Sequence, residues 1–195
     1  MRQLTLTVLL YSAIVIISCQ NEPSAKPTVY MTPSDTVLAR ETTVPAVGNY
    51  KLSNLKPELK RYMADRLSDA RLLVRKYAGN VADSPFDAQV LDNVLDRWRA
   101  AKEDKEKPDK VVEALGFALG QGLVDSLDME WQVWSDSTGE DLTVINRKYM
   151  INAYPLASAE RAYTDKKVGS FQGIRTILIE ELKAAEKSRD VKERK

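Results

Sequence analysis

Residues 111–134 read VVEALGFALGQGLVDSLDMEWQVW, and this stretch decides the fold. Its apolar residues Val111, Val112, Ala114, Leu115, Phe117, Ala118, Leu119, Leu123, Val124 and Leu127 occupy nearly the whole circumference of a helix. A helix apolar on all sides is a buried one. Gly116, Gly120 and Gly122 stand on it although each glycine costs about 1 kcal/mol in a helix interior, so close approach by another backbone is expected to offset that cost. After Leu127 the period changes from helical to two: Met129, Trp131 and Val133 fall on one face, Glu130, Gln132 and Trp134 on the other. That alternation predicts a half-buried strand.

Working outward, Leu55, Leu59, Tyr62, Met63, Leu67, Ala70, Leu73, Val74 and Tyr77 recur at helical spacing and end at Gly79-Asn80. Ser84-Pro85-Phe86-Asp87 has the form of a helix start, with a serine cap and proline in the first turn. The helix it opens buries Val90, Leu91, Val94, Leu95, Trp98 and Ala101, and Lys102 to Lys107 is a solvated loop or a frayed helix end. Pro108 begins the central helix. Beyond the first strand, Asp136 to Asp141 is a turn, and Leu142 to Asn146 and Tyr149 to Tyr154 are further strands. A short helix over Ser158 to Tyr163 precedes a last one whose inward residues are Phe171, Ile174, Ile177, Leu178, Leu182 and Ala185. The expected fold is α+β: a helical layer packed on a small three-stranded antiparallel meander, with a C-terminal helix.

The amino terminus stands apart. Arg2 precedes an apolar run from Leu4 to Ile17, too short for a comfortable bilayer span and shaped like a secretory signal. It closes on Ile16-Ile17-Ser18-Cys19, with a small residue just before the only cysteine. These residues resemble a bacterial lipoprotein signal. The resemblance implies diacylglycerol on Cys19, cleavage before it, and acylation of the new amino terminus, an anchor of two or more chains at about 0.8 kcal/mol per buried methylene. An uncleaved amino-terminal anchor, or cleavage by ordinary signal peptidase, is the competing reading. Gln20 in place of aspartate resembles lipoproteins sent to the outer membrane of Gram-negative cells. The organisation is then a signal peptide over residues 1–18, a tether rich in Pro, Thr and Ser over 19–49, one globular domain over 50–188 and a charged tail over 189–195. An edge strand within the tether, at Thr28 to Tyr30 or Thr42 to Val47, is an alternative on β-branched content.

Cleavage removes Arg2 and no acid, leaving 28 Lys plus Arg against 28 Asp plus Glu. A formally neutral chain of mixed signs lacks the basic footprint of a nucleic-acid binder. Membrane contact is assigned to the lipid on Cys19. With no histidine in the chain, Ser-His-Asp and Cys-His catalysis and histidine-ligated zinc are excluded. Carboxylate pairs remain, and these hydrolyse glycosides when they face each other across a cleft. The acidic turn lacks the alternating acids of a calcium loop, and no metal or other cofactor is expected. Candidate partner-surface residues are Trp134, Tyr149, Asp136, Glu140 and Asp141, with Cys19 for lipid attachment and no assigned catalytic residue. Packing of Trp134 beneath a helix is the competing reading for that residue.

Leu115-Gly116, Gly120, Leu127, Trp131, Asp136, Gly139, Asp141 and Tyr154-Pro155-Leu156 together resemble an uncharacterised bacterial family, a domain of unknown function numbered 3806. The pattern is a Leu-Gly helix with a second glycine, a tryptophan strand, an Asp-x-x-Gly-x-Asp turn and a Pro-Leu at the end of the sheet, over about Val111 to Asp165. The resemblance implies no activity and no catalytic residue. Where the family has a basic stretch after Pro-Leu, this chain has Ala157 to Arg161. The expected function is that of an envelope lipoprotein, lipid-anchored in the bacterial cell envelope, whose non-catalytic domain binds an envelope partner. The alternative is an envelope hydrolase acting on glycan or peptidoglycan through paired carboxylates. A small-ligand carrier is a third reading, requiring a pocket of about 300 Å³ or more.

Overall fold

The computed structural model describes residues 50–79, 86–137 and 139–193, with side chains described through residue 189. In chain order the elements are β1 (Lys51–Ser53), α1 (Pro57–Tyr77), α2 (Ala88–Ala100), α3 (Pro108–Leu127), β2 (Glu130–Asp136), β3 (Gly139–Asn146), β4 (Ile151–Ala153), α4 (Pro155–Asp165) and α5 (Ser170–Glu193). The class is α+β. The sheet has four strands where three are expected, in the order β1-β2-β3-β4 and antiparallel throughout. The extra strand is β1, whose Lys51, Leu52 and Ser53 lie opposite Ser135, Trp134 and Val133. Three residues carry too little alternation to reveal a strand; the partner defines it. Thr28 to Tyr30, Thr42 to Val47, the signal segment and Cys19 lie outside the described residues.

Directly opposed residues of an antiparallel sheet share a face. One face carries Trp131, Val133, Leu142 and Val144, and the helices pack on it: Leu142 and Val144 belong to the buried core, with Trp131 and Val133 half-buried against it. The other face carries Leu52, Trp134, Gln132 and Thr143, the last three of them buried.

The central helix α3 holds the largest share of the core, burying Val111, Ala114, Leu115, Phe117, Ala118, Leu119 and Leu123. Its glycines explain how so much can surround it. A Cβ on Gly116 would lie 2.8 Å from Leu156 Cδ2 and 3.0 Å from Leu156 Cα, so α4 crosses there at backbone distance. At Gly120 a Cβ would overlap the six-membered ring of Trp131 and lie 2.9 Å from Pro155 Cγ. At Gly122 it would overlap the Phe86 carbonyl oxygen. Two of the three close approaches are by backbone, as expected, and the third is by an indole.

Buried polar groups fix the junctions. Asp128 closes α3 in the left-handed region, φ 51°, which a short polar residue tolerates. Its carbonyl accepts from Asn146 Nδ2 at 3.0 Å, and Asn146 Oδ1 accepts from the Tyr149 N–H at 3.2 Å. One amide thereby ties the helix-to-strand junction to the turn after β3. Asp92, 7% exposed on α2, accepts the N–H groups of Phe171 and Gln172, each at 3.0 Å. It supplies from another helix the cap that the first turn of α5 requires.

Five local expectations change. The expected turn from Asp136 to Asp141 is strand at both ends, β2 reaching Asp136 and β3 starting at Gly139, and the strand expected over Tyr149 to Tyr154 is confined to Ile151–Ala153. The cap of α2 is Asp87, whose carboxylate accepts from the Gln89 N–H at 2.9 Å, and the helix begins at Ala88; Ser84 and Pro85 lie outside the described residues. Pro155 opens α4, which runs from there to Asp165. Ile177 is 51% exposed, because the buried stripe of α5 passes through Phe171 and Leu178.

Alanine at Gly120 and alanine at Gly173 isolate the packing argument. Both gain about 1 kcal/mol of helix propensity, yet Gly173 has nothing within 4 Å of an added Cβ. Gly173→Ala is expected to raise the melting temperature by a few degrees. Gly120→Ala is expected to lower it, since overpacking costs about 1–3 kcal/mol. Calorimetry of both variants checks this, and two shifts of the same sign refute it.

Candidate functional site

The β2–β3 hairpin sets Trp134 opposite Asp141 and Asp136 opposite Gly139. Trp134 is 8% exposed, its ring stacked on Tyr50 with centroids 4.1 Å apart and planes 8° from parallel. Its Nε1–H donates to Asp136 Oδ2 at 3.2 Å. The indole thus spends one face on Tyr50 and its donor on the turn. Burial, and secondarily the charge of Asp136, push the Asp141 carboxyl above its ordinary range. Glu140 points to the other face, where Ser135 Oγ donates to its Oε1 at 3.3 Å. Tyr149 lies in the turn after Asn146, and the five steps of strand from Asp141 to Asn146 cover about 17 Å. The hairpin end therefore gathers Trp134, Asp136 and Asp141, with Glu140 behind them and Tyr149 at the far end of the sheet.

Other perturbed groups are committed to the framework. Tyr62 donates its hydroxyl to Glu113 across the α1–α3 contact, with Arg66 over its ring at 5.2 Å from the centroid. Burial and that hydrogen bond push its phenol up to about 12, so it stays protonated and acts as a donor. For Asp92, burial pushes the carboxyl up against the lowering by its two N–H donors. Glu106 accepts from Lys76 Nζ at 2.8 Å and Tyr77 Oη at 2.7 Å. Burial works to raise it, and these two donors outweigh burial and hold it below the ordinary value. That acid pins the loop before α3 to the end of α1, so the charged run from Lys102 to Lys107 is not wholly solvated.

Two cavities exceed the size a small ligand needs. The larger, about 530 Å³, lies between α1, α3 and α5 and includes Arg71, Asp87, Asp125 and Arg175. Its acids are already engaged, Asp87 with Gln89 and Asp125 with Gln121. The other, about 460 Å³, opens where β1 turns into α1 and is lined by Asn54, Leu55, Lys60, Met63, Glu130, Trp131 and Gln132. Gln132 is 2% exposed; its Nε2 donates to Asn54 Oδ1 at 3.2 Å, while its buried Oε1 has no hydrogen-bond partner. The Trp131 Nε1–H is likewise buried and unpartnered. An unmade hydrogen bond at a buried group costs about 1–3 kcal/mol, and the two atoms stand on opposite faces of the sheet, Trp131 against the core and Gln132 away from it. Glu130 at the rim is ion-paired with Arg147.

Residues 87–170 match the family model described as Domain of unknown function (DUF3806). No curated protein and no solved structure matches the chain. The DUF3806 span holds α2, α3, β2, β3, β4 and α4. It leaves β1 and α1 outside, so the cavity beside Gln132 is built from both sides of that boundary.

Within the span, the residues of the recognisable pattern turn out to touch one another. Gly116 meets Leu156, and Gly120 meets Trp131 and Pro155. Asp136 receives the Trp134 indole, and Gly139 turns the hairpin at φ 147°. The pattern describes a packing unit. Gln132, Asn54 and Lys60 were not singled out by sequence; the one signal for Gln132 is that it shares the Trp134 face of the strand. Asp92 had a clearer signal, an acid standing between Leu91 and Leu95 on an apolar helix stripe. Among the described residues no group of three or more potential metal ligands comes together, and no helix is long and apolar enough to cross a membrane.

The Asp136–Asp141 pair makes a titration prediction. A raised pKa favours the protonated carboxyl in the folded state. The stabilisation tied to Asp141 is therefore complete below the unfolded value near 3.8 and is lost as pH rises through the higher folded value. Asp136→Asn keeps an acceptor for Trp134 while removing the charge. NMR titration should then show the Asp141 midpoint lowered toward 3.8, and an unmoved midpoint would contradict the coupling.

Proposed function

We propose that the chain is a lipid-anchored protein of the bacterial cell envelope whose folded domain is a non-catalytic binding module. The anchor rests on the sequence around Cys19. The binding reading rests on one observation, the cavity of about 460 Å³ where β1 turns into α1, at which Asn54, Lys60 and Glu130 converge beside Leu55 and Met63. Pre-formed cavities of roughly 300–1,000 Å³ with a few convergent polar groups are the usual form of a small-ligand site. Perturbed side chains elsewhere in the domain have structural roles: Tyr62 donates to Glu113, and Asp92 caps α5.

The alternative, a hydrolase acting on envelope glycan, draws support from Asp136 beside a raised Asp141. Against it, Asp136 accepts from the Trp134 indole and the pair sits at a hairpin turn.

Two measurements test the proposal. Metabolic labelling with an alkyne fatty acid in a bacterial host should mark the wild type and sediment it with membranes, and Cys19→Ala should lose both properties. A labelled Cys19→Ala chain, or an unlabelled wild type, contradicts the anchor. Incubation with short envelope-derived peptides and glycans should return them unchanged in mass; lower-mass products would establish the hydrolase.

A further inference from the structure

The face of the sheet turned away from the helices is as deeply buried as the core. Thr143 is 0% exposed, Ile145 1% and Gln132 2%, and all three stand on that face with Trp134 and Asp141. The described helices do not account for this. On the face of Trp131 and Val144, α3 meets β2 and β3, and α4 meets β3; α5 meets β4, whose Ile151 and Ala153 stand on that same helical face. Ile145 and Trp134 accordingly lie outside the continuous helical core.

Among the described residues the cover of the far face is marginal. Tyr50 stacks on Trp134, Asn54 accepts from Gln132, and Arg147 pairs with Glu130. An antiparallel sheet with one layer of helices leaves its second face to water, and that face is then polar. Here the middle of it is a tryptophan, a threonine and an isoleucine on inner strands, shut off from solvent. A second layer has to lie over them.

The chain itself supplies one. Residues 80–85 lead into Phe86, which packs on Gly122 of α3, and residues 194–195 follow α5; neither group starts from this face. The amino-terminal segment does, because Tyr50, where it ends, has its ring on Trp134. The eight residues before Tyr50, Thr42 to Asn49, read TTVPAVGN and carry no charge. An uncharged segment suits a face on which burial already raises Asp141, since a charge brought there would lose its hydration. Length suffices as well: Trp134 and Ile145 are four strand steps apart, about 13 Å, and eight extended residues reach up to about 28 Å.

We propose that residues 42–49 dock across this face as a strap, with their apolar side chains over Thr143 and Ile145. The occupant is the chain's own segment, and the docking does not depend on the binding reading above. Its consequence is for reach. Only residues 20–41 then remain as tether beyond a lipid on Cys19, up to about 75 Å extended against about 100 Å for the whole segment.

The test uses the full chain in detergent micelles, with Cys19→Ala removing the only cysteine and Thr43→Cys carrying a nitroxide. With methyl groups labelled for NMR, the Ile145 and Thr143 signals should be broadened more than that of Leu52, and reducing the nitroxide should restore them. Broadening greatest at Leu52 and fading toward Ile145, as from a free segment pivoting at Tyr50, would overturn the proposal. So would broadening of Ile145 that appears when nitroxide-bearing chains without methyl label are mixed with methyl-labelled chains, since the occupant would then be a second copy. In a separate arm, Val44→Glu combined with Val47→Glu should lower the melting temperature by several degrees, whereas Val29→Glu, farther up the tether, should leave it unchanged. No difference between these two variants would also overturn the strap, and the nitroxide arm stays readable if the double variant fails to fold.

Discussion

A helix packed against six other elements cannot carry a side chain at every position. Where α3 passes the Trp131 indole and Pro155, the space is that of a hydrogen, and only glycine fits. The same requirement recurs one turn earlier against Leu156 and again at Gly122 against the Phe86 carbonyl. Close-packed interiors do not absorb an extra methyl without moving something. In α3 the neighbours that would move are a ring, a proline and main chain, the least yielding neighbours available. The propensity lost at three glycines is offset by bringing α4, β2 and the start of α2 against one helix.

That arrangement positions the cavity beside Gln132. With its ring fixed over Gly120 and tilted against Phe117, centroids 5.9 Å apart, Trp131 fixes the start of β2. Gln132 is then directed to the opposite face, where Asn54 meets half of its amide. The cavity forms because β1 stops at Ser53 and the chain turns away through Asn54 and Leu55 into α1. The burial of Gln132 follows from strand geometry imposed by packing on the far side of the sheet. The hairpin end is more fully satisfied: Tyr50 covers Trp134, and Asp136 takes its donor.

Much of this was legible in the residues. The unbroken apolar circumference of α3, the change of period after Leu127, and three glycines on one helix led to a buried helix entering a sheet and to close contacts along it. What was hidden depends on partners far away in sequence. β1 is a strand because β2 lies beside it. Asp92 looks misplaced on its own helix and makes sense only at the amino terminus of α5. Alternation gave the face of Trp134 but not Tyr50 as its cover, and it gave no hint that Gln132, on that same face, is as buried as the core. Ser84 is the expected cap of α2 and Asp87 is the actual one; serine and aspartate are both competent caps, and local sequence does not choose between them.

The central claim is that Gly120 and Trp131 are one interaction, on which helix, sheet and cavity depend. A double-mutant cycle in urea measures it directly. Gly120→Ala should be strongly destabilising with Trp131 present. With Trp131→Leu, which withdraws the ring that an added Cβ would strike, it should cost much less, leaving a coupling energy of about 1 kcal/mol or more. Additive losses, with Gly120→Ala equally costly in both backgrounds, would show that the glycine serves something other than the indole and would contradict the account.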